Sequence, residues 1–539
     1  GATVDASGTG ALVFTNTGAL AYSGTAGRLL TLSGISTADN TMTPVLANNA
    51  GTSSFTKAGT GKWVMKGANT YTGVTTISGG TLNVGDGTDA LASLGTNSVS
   101  IGTGTTLNLN HNAAVTVANA ISGAGQLNKL GGNTLSLTGV NSYTGATGTG
   151  SAGGVVFANN TAPATLGFTG SGTVTVEPAS SFSSAVTANY TFDNSISGLT
   201  LGKSGNLTNM TLNSLVNIAG PITVYAPQIT VNQALTSTAN LTLNGQSVLN
   251  GAAIQTAGAQ TYNGSVTLGA DTVLTSTSSG AITFGNTLNG AYTLAVNTAG
   301  ATTFTGAVGG TQALMSLSTD GAGTVAINGG VVNTIGAQSY GEVAILGAAT
   351  VLSSSDSGAI TFGNTLNGAH TLAVNTAGVT TFTGAVGNTH ALTSLSTDLE
   401  GSVAINGGTV NTTGAQSFGD AATLGADTTL SSTASGAISF GGTLDGAKNL
   451  VINTSGVTTF GGAVGGITAL SSLITDAAGS VMISGGSIRT TGAQTYNERV
   501  NLGAATTLRG VNVALMSTVD GAQALTISDS GTTVLGDVM

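Results

Sequence analysis

The sequence predicts an all-β fold, a right-handed parallel β-helix built from short stacked coils. Three observations point to it. Only 6% of the 539 residues are charged, while glycine contributes 85. Short runs such as Thr81-Leu82-Asn83-Val84 and Thr371-Leu372-Ala373-Val374-Asn375 alternate small or polar residues with aliphatics, the period of a strand. In the C-terminal half the chain repeats itself at a fixed period: Gly-Ala-Gln begins at Gly258, Gly336, Gly414 and Gly492, which marks out 78-residue units.

Each strand-like run carries one or two aliphatic side chains, too few to form a core alone. Stacking coil on coil at the ~4.8 Å strand spacing buries them as a continuous ladder. Glycine and asparagine at the corners tolerate the required backbone angles. Low charge follows, because a charge repeated in every coil would face its own copy. Flexible linker sequence lacks this alternation, and collagen requires a three-residue glycine period and abundant proline, whereas proline numbers 5. No run approaches the ~18 apolar residues of a membrane helix.

Charge excludes a further class. The net charge of −10 comes from 20 acidic and 10 basic residues dispersed along the chain. Arg28, Arg489, Arg499, Arg509 and six lysines do not form the basic stripe that a phosphate backbone needs, so no nucleic-acid partner is expected. Cysteine is absent, which suits a chain threaded unfolded through a membrane pore. The sequence opens at Gly1 with neither an initiating Met nor an export signal, which reads as a processed product or a fragment.

Four segments follow in order: 1–54 as N-terminal coils, 55–150 as a first set of β-strand repeats, 151–257 as a further β-helix segment, and 258–539 as tandem 78-residue units with the last incomplete. Within a unit, Tyr262, Phe284, Phe304 and Ile327 each precede a turn, at steps of 22, 20 and 23, with 13 more to Tyr340. If each step is one coil, a unit holds about four coils, one of them shortened. This register is expected to stack Phe284, Phe362 and Phe440 on one another, and likewise Phe304, Phe382 and Phe460. About 25 coils would make a rod of ~120 Å.

Residues 55–85, FTKAGTGKWVMKGANTYTGVTTISGGTLNVG, closely resemble the passenger-associated β-strand repeat of bacterial autotransporters. Residues 127–145, LNKLGGNTLSLTGVNSYTG, resemble its first half, with Tyr143 in the place of Tyr71. Residues 197–232, SGLTLGKSGNLTNMTLNSLVNIAGPITVYAPQITVN, are similar to segments of filamentous-haemagglutinin-like adhesins, as are the 78-residue units. The resemblance implies a right-handed β-helix exported across the outer membrane by a translocator. Neither a C-terminal run of membrane strands nor the Asn-Pro motifs of a two-partner secretion domain is evident, which leaves the export route open.

Candidate chemistry is sparse. β-Helical polysaccharide lyases and hydrolases need clustered carboxylates with Arg or Lys, whereas Asp320, Asp398 and Asp476 recur once per unit and read as turn formers. His370 is replaced by Tyr292 and Lys448 in neighbouring units, and His390 by Gln312 and Thr468, so both read as surface variation. His111 follows Asn110 in a polar, turn-like stretch without ligand spacing. No tandem calcium nonapeptide is present, and the acidic turn Asp86-Gly87-Thr88-Asp89 offers at most an incidental calcium site. Trp63, Tyr71 and Tyr143 are either carbohydrate platforms or packed residues, packing being the default.

No catalytic, cofactor-binding or metal-ligating residue is assigned, and no metal is expected to be required. The reading is a non-catalytic extracellular shaft, structural or adhesive, whose partner is a host or neighbouring-cell surface or a matrix polysaccharide. The alternative is a polysaccharide-binding or polysaccharide-degrading β-helix. A third is a head-to-tail homopolymer, since neither residues 1–15 nor 531–539 reads as a cover for a terminal coil.

Overall fold

The computed structural model of the protein describes residues 1–536, and residues 537–539 of the segment 531–539, read above as no cover for a terminal coil, lie outside them. Every regular element among these residues is a β-strand, and the strands pair in parallel into solenoid turns, about 24 in all. The chain divides into two compact units, residues 1–257 and the residues from Gly258 onward.

In the first unit, one face runs through Ala2–Asp5, Arg28–Ser33, Ser53–Lys57, Thr75–Ile77, Val99–Ile101 and Ile121–Gly123. Its inward column reads Leu30, Phe55, Thr75, Val99, with each residue paired to the one a turn earlier. Alternation along each strand sends aliphatics inward, as in Thr106–Asn110, where Leu107 and Leu109 are buried. Outward asparagines form ladders of their own. Asn108 donates to Asn83 at 2.8 Å and Asn128 to Asn108 at 3.0 Å. The long strand Ile222–Val231 tolerates Pro227 because its register shifts between Tyr225 and Gln228.

The second unit corrects the expected stacking. Phe284 stacks between Tyr262 and Phe304, with ring centroids 5.3 and 5.2 Å away, and not on Phe362. Tyr340–Phe362–Phe382 and Phe418–Phe440–Phe460 are separate ladders on other faces.

The reason is the coil length. From Tyr262 one face runs through Phe284, Phe304 and Ile327 to the strand Val343–Leu346. It continues through Leu366, Val386, Val410, Leu430, Ile452 and Thr475 to Tyr496. Tyr496 therefore lies eleven turns beyond Tyr262, and three sequence units separate the two. One 78-residue unit occupies three and two-thirds turns, not four with one shortened. Each successive unit starts one face further round, and the short step from Ile327 to Tyr340 is the passage to that next face.

Candidate functional site

The repeat-like segments near residues 55 and 127 place their polar and aromatic residues inside the solenoid. Lys57 stands in an inward column between Leu32 and Ile77 and is fully buried. Its Nζ donates to the carbonyls of Ala58, Gly59 and Gly79 at 2.7, 2.9 and 2.8 Å, which satisfies an ammonium that burial draws down to about 8. Lys129 repeats the arrangement on Gly131 and Ala152, both at 2.7 Å. Trp63 is buried and donates its indole N–H to Ser33 O at 2.8 Å. Tyr71 and Tyr143 are buried with hydroxyls 2.6 and 2.7 Å from Thr75 and Thr147. These three aromatics are packed residues and not carbohydrate platforms.

His111 heads the turn-like stretch expected of it and is buried there. It follows the strand Thr106–Asn110 and sets Nε2 2.8 Å from Ala92 O. It borders a cleft of about 320 Å³ formed with Val84, Leu94, Leu109 and Val117. The acidic turn beside this region already holds a cation. Lys66 Nζ lies 2.7 Å from Asp86 and 3.2 Å from Asp89, and its hydrogen bond holds Asp86 well below the usual carboxylate range. His370 is half-buried and His390 exposed, in keeping with surface variation.

The structure brings together acids that the sequence reading keeps apart. Asp320, Asp398 and Asp476 each face a second acid in the following turn: Glu342, Asp420 and Glu498. The parallel pairing of Thr319 with Tyr340, Thr397 with Phe418 and Thr475 with Tyr496 sets each juxtaposition one turn apart. The second acids are 1, 2 and 3% exposed, whereas Asp320, Asp398 and Asp476 are half-buried.

Burial first, and the facing carboxyl after it, push Glu342 up to about 7, Asp420 to about 6 and Glu498 to about 8. Thr319 donates to Glu342 Oε2, while Oε1 is buried without a hydrogen bond. Asp320, Asp398 and Asp476 stand at the turns after their strands, and each turn also carries a carboxyl from the following coil beside it. The signal is present in the sequence as a second recurring acid, at a spacing of one turn.

Residues 55–84 and 127–148 match the family described as the Passenger-associated-transport-repeat. The chain is also similar to the adhesin BmaC autotransporter of Brucella suis biovar 1 (strain 1330), 38% identical over 86 residues. That alignment covers 16% of this chain and 2% of the relative, so the chain spans a small fraction of the relative's length. No solved structure matches the chain. The two matched stretches, with inward Lys57, Lys129, Tyr71 and Tyr143 set into parallel turns, match passenger-associated transport repeats, and the solenoid that contains them has the parallel β-helical form of an autotransporter passenger.

Proposed function

We propose that this chain is a non-catalytic adhesive β-helix, exported through an outer-membrane translocator and used for attachment at the cell surface. Its extracellular, surface location follows from the passenger repeats and the autotransporter relative. The observation that carries the reading is the repeat itself: its Lys, Trp and Tyr side chains are all spent on holding turns together. What remains outward is uncharged for the most part, Thr and Ser with scattered apolar side chains such as Val74, Leu91, Leu399 and Ile467, a surface suited to broad, weak contact. The absence of cysteine suits passage through a pore in the unfolded state. The second acid of each pair, Glu342, Asp420 or Glu498, is enclosed, and a sugar does not reach its buried oxygens.

The test is display of the chain on a non-adherent bacterial host, with attachment counted after washing from plastic, cultured epithelial cells and immobilised polysaccharide. A several-fold gain on at least one surface is expected. Equal counts with and without the chain on all three would remove the adhesive role. New reducing ends or unsaturated products from polygalacturonate would restore the enzymatic alternative. A finer reading, coil-on-coil assembly of copies into a fibre, rests on the same parallel pairing that joins turns within the chain. Particles of one length at every concentration in negative stain would exclude it.

A further inference from the structure

The fold needs a turn residue at Asp320, Asp398 and Asp476, but it does not need a second buried acid one turn later. A buried acceptor without a hydrogen bond is costly, and a buried charge more so. Glu342 Oε1 is in this position, as are Asp320 Oδ1, Asp398 Oδ1 and Asp476 Oδ1. Asp420 and Glu498 are nine-tenths buried or more, and neither of their oxygens has a well-formed partner. No cationic side chain answers them: the ion pairs among the described residues join Lys62, Lys66 and Arg499 to Asp39, Asp86, Asp89 and Asp520.

We propose that each of the three acid pairs is a divalent-cation site, with calcium the ion that fits. The donors are all hard oxygens, two carboxylates and the hydroxyl of the threonine before each Asp, which is the ligand type calcium takes. A 2+ ion neutralises the two carboxylates of one pair. The half-buried Asp leaves one side open, through which the ion enters and water completes its shell.

The three sites lie on three different sheets, because each 78-residue step moves the pattern one face round. One unit earlier, the corresponding positions are Thr242 and Gly264, so no fourth site forms there. This departs from the expectation that no metal is required. That expectation rests on ligand spacing along the chain, and the two acids of a pair meet only across turns.

The test is isothermal titration of the chelator-treated full chain with calcium chloride at neutral pH, with magnesium chloride as comparator. Three calcium ions per chain are expected. Two are expected for Glu342→Gln, Asp420→Asn or Glu498→Gln alone, and none for the triple variant. Calcium should raise the melting temperature of the parent and leave that of the triple variant unchanged. In chelator the triple variant should melt at or above the parent, because its buried groups no longer ionise, and its circular dichroism should stay that of the parent. No uptake, or equal uptake by parent and triple variant (an adventitious ion only), would overturn the proposal. A melting temperature that follows pH but ignores calcium would also overturn it, assigning the pairs to a shared proton.

Discussion

Tyr340 donates its hydroxyl to Gln338 Oε1 at 2.9 Å, and Tyr496 repeats this on Gln494 at 3.0 Å. At the corresponding place Phe418 has no hydroxyl to give, and Gln416 Oε1 is buried without a partner. The amide of Gln416 still donates to Ser431 O at 2.9 Å, so its orientation is already set. Phe418→Tyr should therefore stabilise the protein by ~1 kcal/mol, read as a rise in melting temperature. An unchanged or lower value would mean that the ring has no room to place the hydroxyl. In the same column type, Phe362→Ala or Phe382→Ala should cost ~3–5 kcal/mol, since both rings are about 1% exposed and stack 5.6 Å apart. As ladder neighbours they should not be additive in a double variant.

At the scale of the strand and its turn, close approach decides which residues are tolerated. The turn after Thr350–Ser354 is bent by Ser354, whose hydroxyl accepts from Gly358 N at 3.0 Å and donates to Gly336 O at 2.9 Å. A Cβ on Gly358 would sit 2.2 Å from the carbonyl carbon of Gly336 in the turn before. Backbone is the obstacle, so no side chain can swing aside. Gly358→Ala should cost ~1–3 kcal/mol in an equilibrium melt, and a neutral result would show that neighbouring turns can move apart. The alternation that makes these strands is legible from the sequence, because inward and outward positions differ in hydrophobicity. The face a strand occupies is not legible, because all three faces use the same Val, Leu, Ile and Thr.

For the whole second unit, the acid pairs couple stability to pH. Burial raises Glu342, Asp420 and Glu498 above their ordinary values of 4.5, 3.8 and 4.5, to about 7, 6 and 8. Between those limits the folded chain holds more protons than the unfolded chain, so stability falls as pH rises. In chelator the melting temperature should be highest near pH 4 and decline between about pH 5 and 8. The Glu342→Gln, Asp420→Asn, Glu498→Gln variant should lose most of that slope. A slope equal to the parent's would place the titration elsewhere.

Composition, alternation and recurrence by themselves determined that this protein is a parallel β-solenoid, and the motif around Tyr71 and Tyr143 determined its kinship with passenger repeats. These are local or periodic properties, written wherever a strand must bury one side and turn on glycine. Only the tertiary structure decided what meets what. Phe284 and Phe362 hold the same place in the 78-residue pattern, yet Phe284 stacks on Tyr262 and Phe304. Asp320 reads as a lone turn residue along the chain, although Glu342 faces it from the next turn. Contacts in a solenoid are set by the number of residues in each turn, which varies from 19 to 23 along the Tyr262 face between Phe284 and Leu346. The sequence repeat is a fractional number of those turns, so its phase against the coil appears only when the turns are stacked.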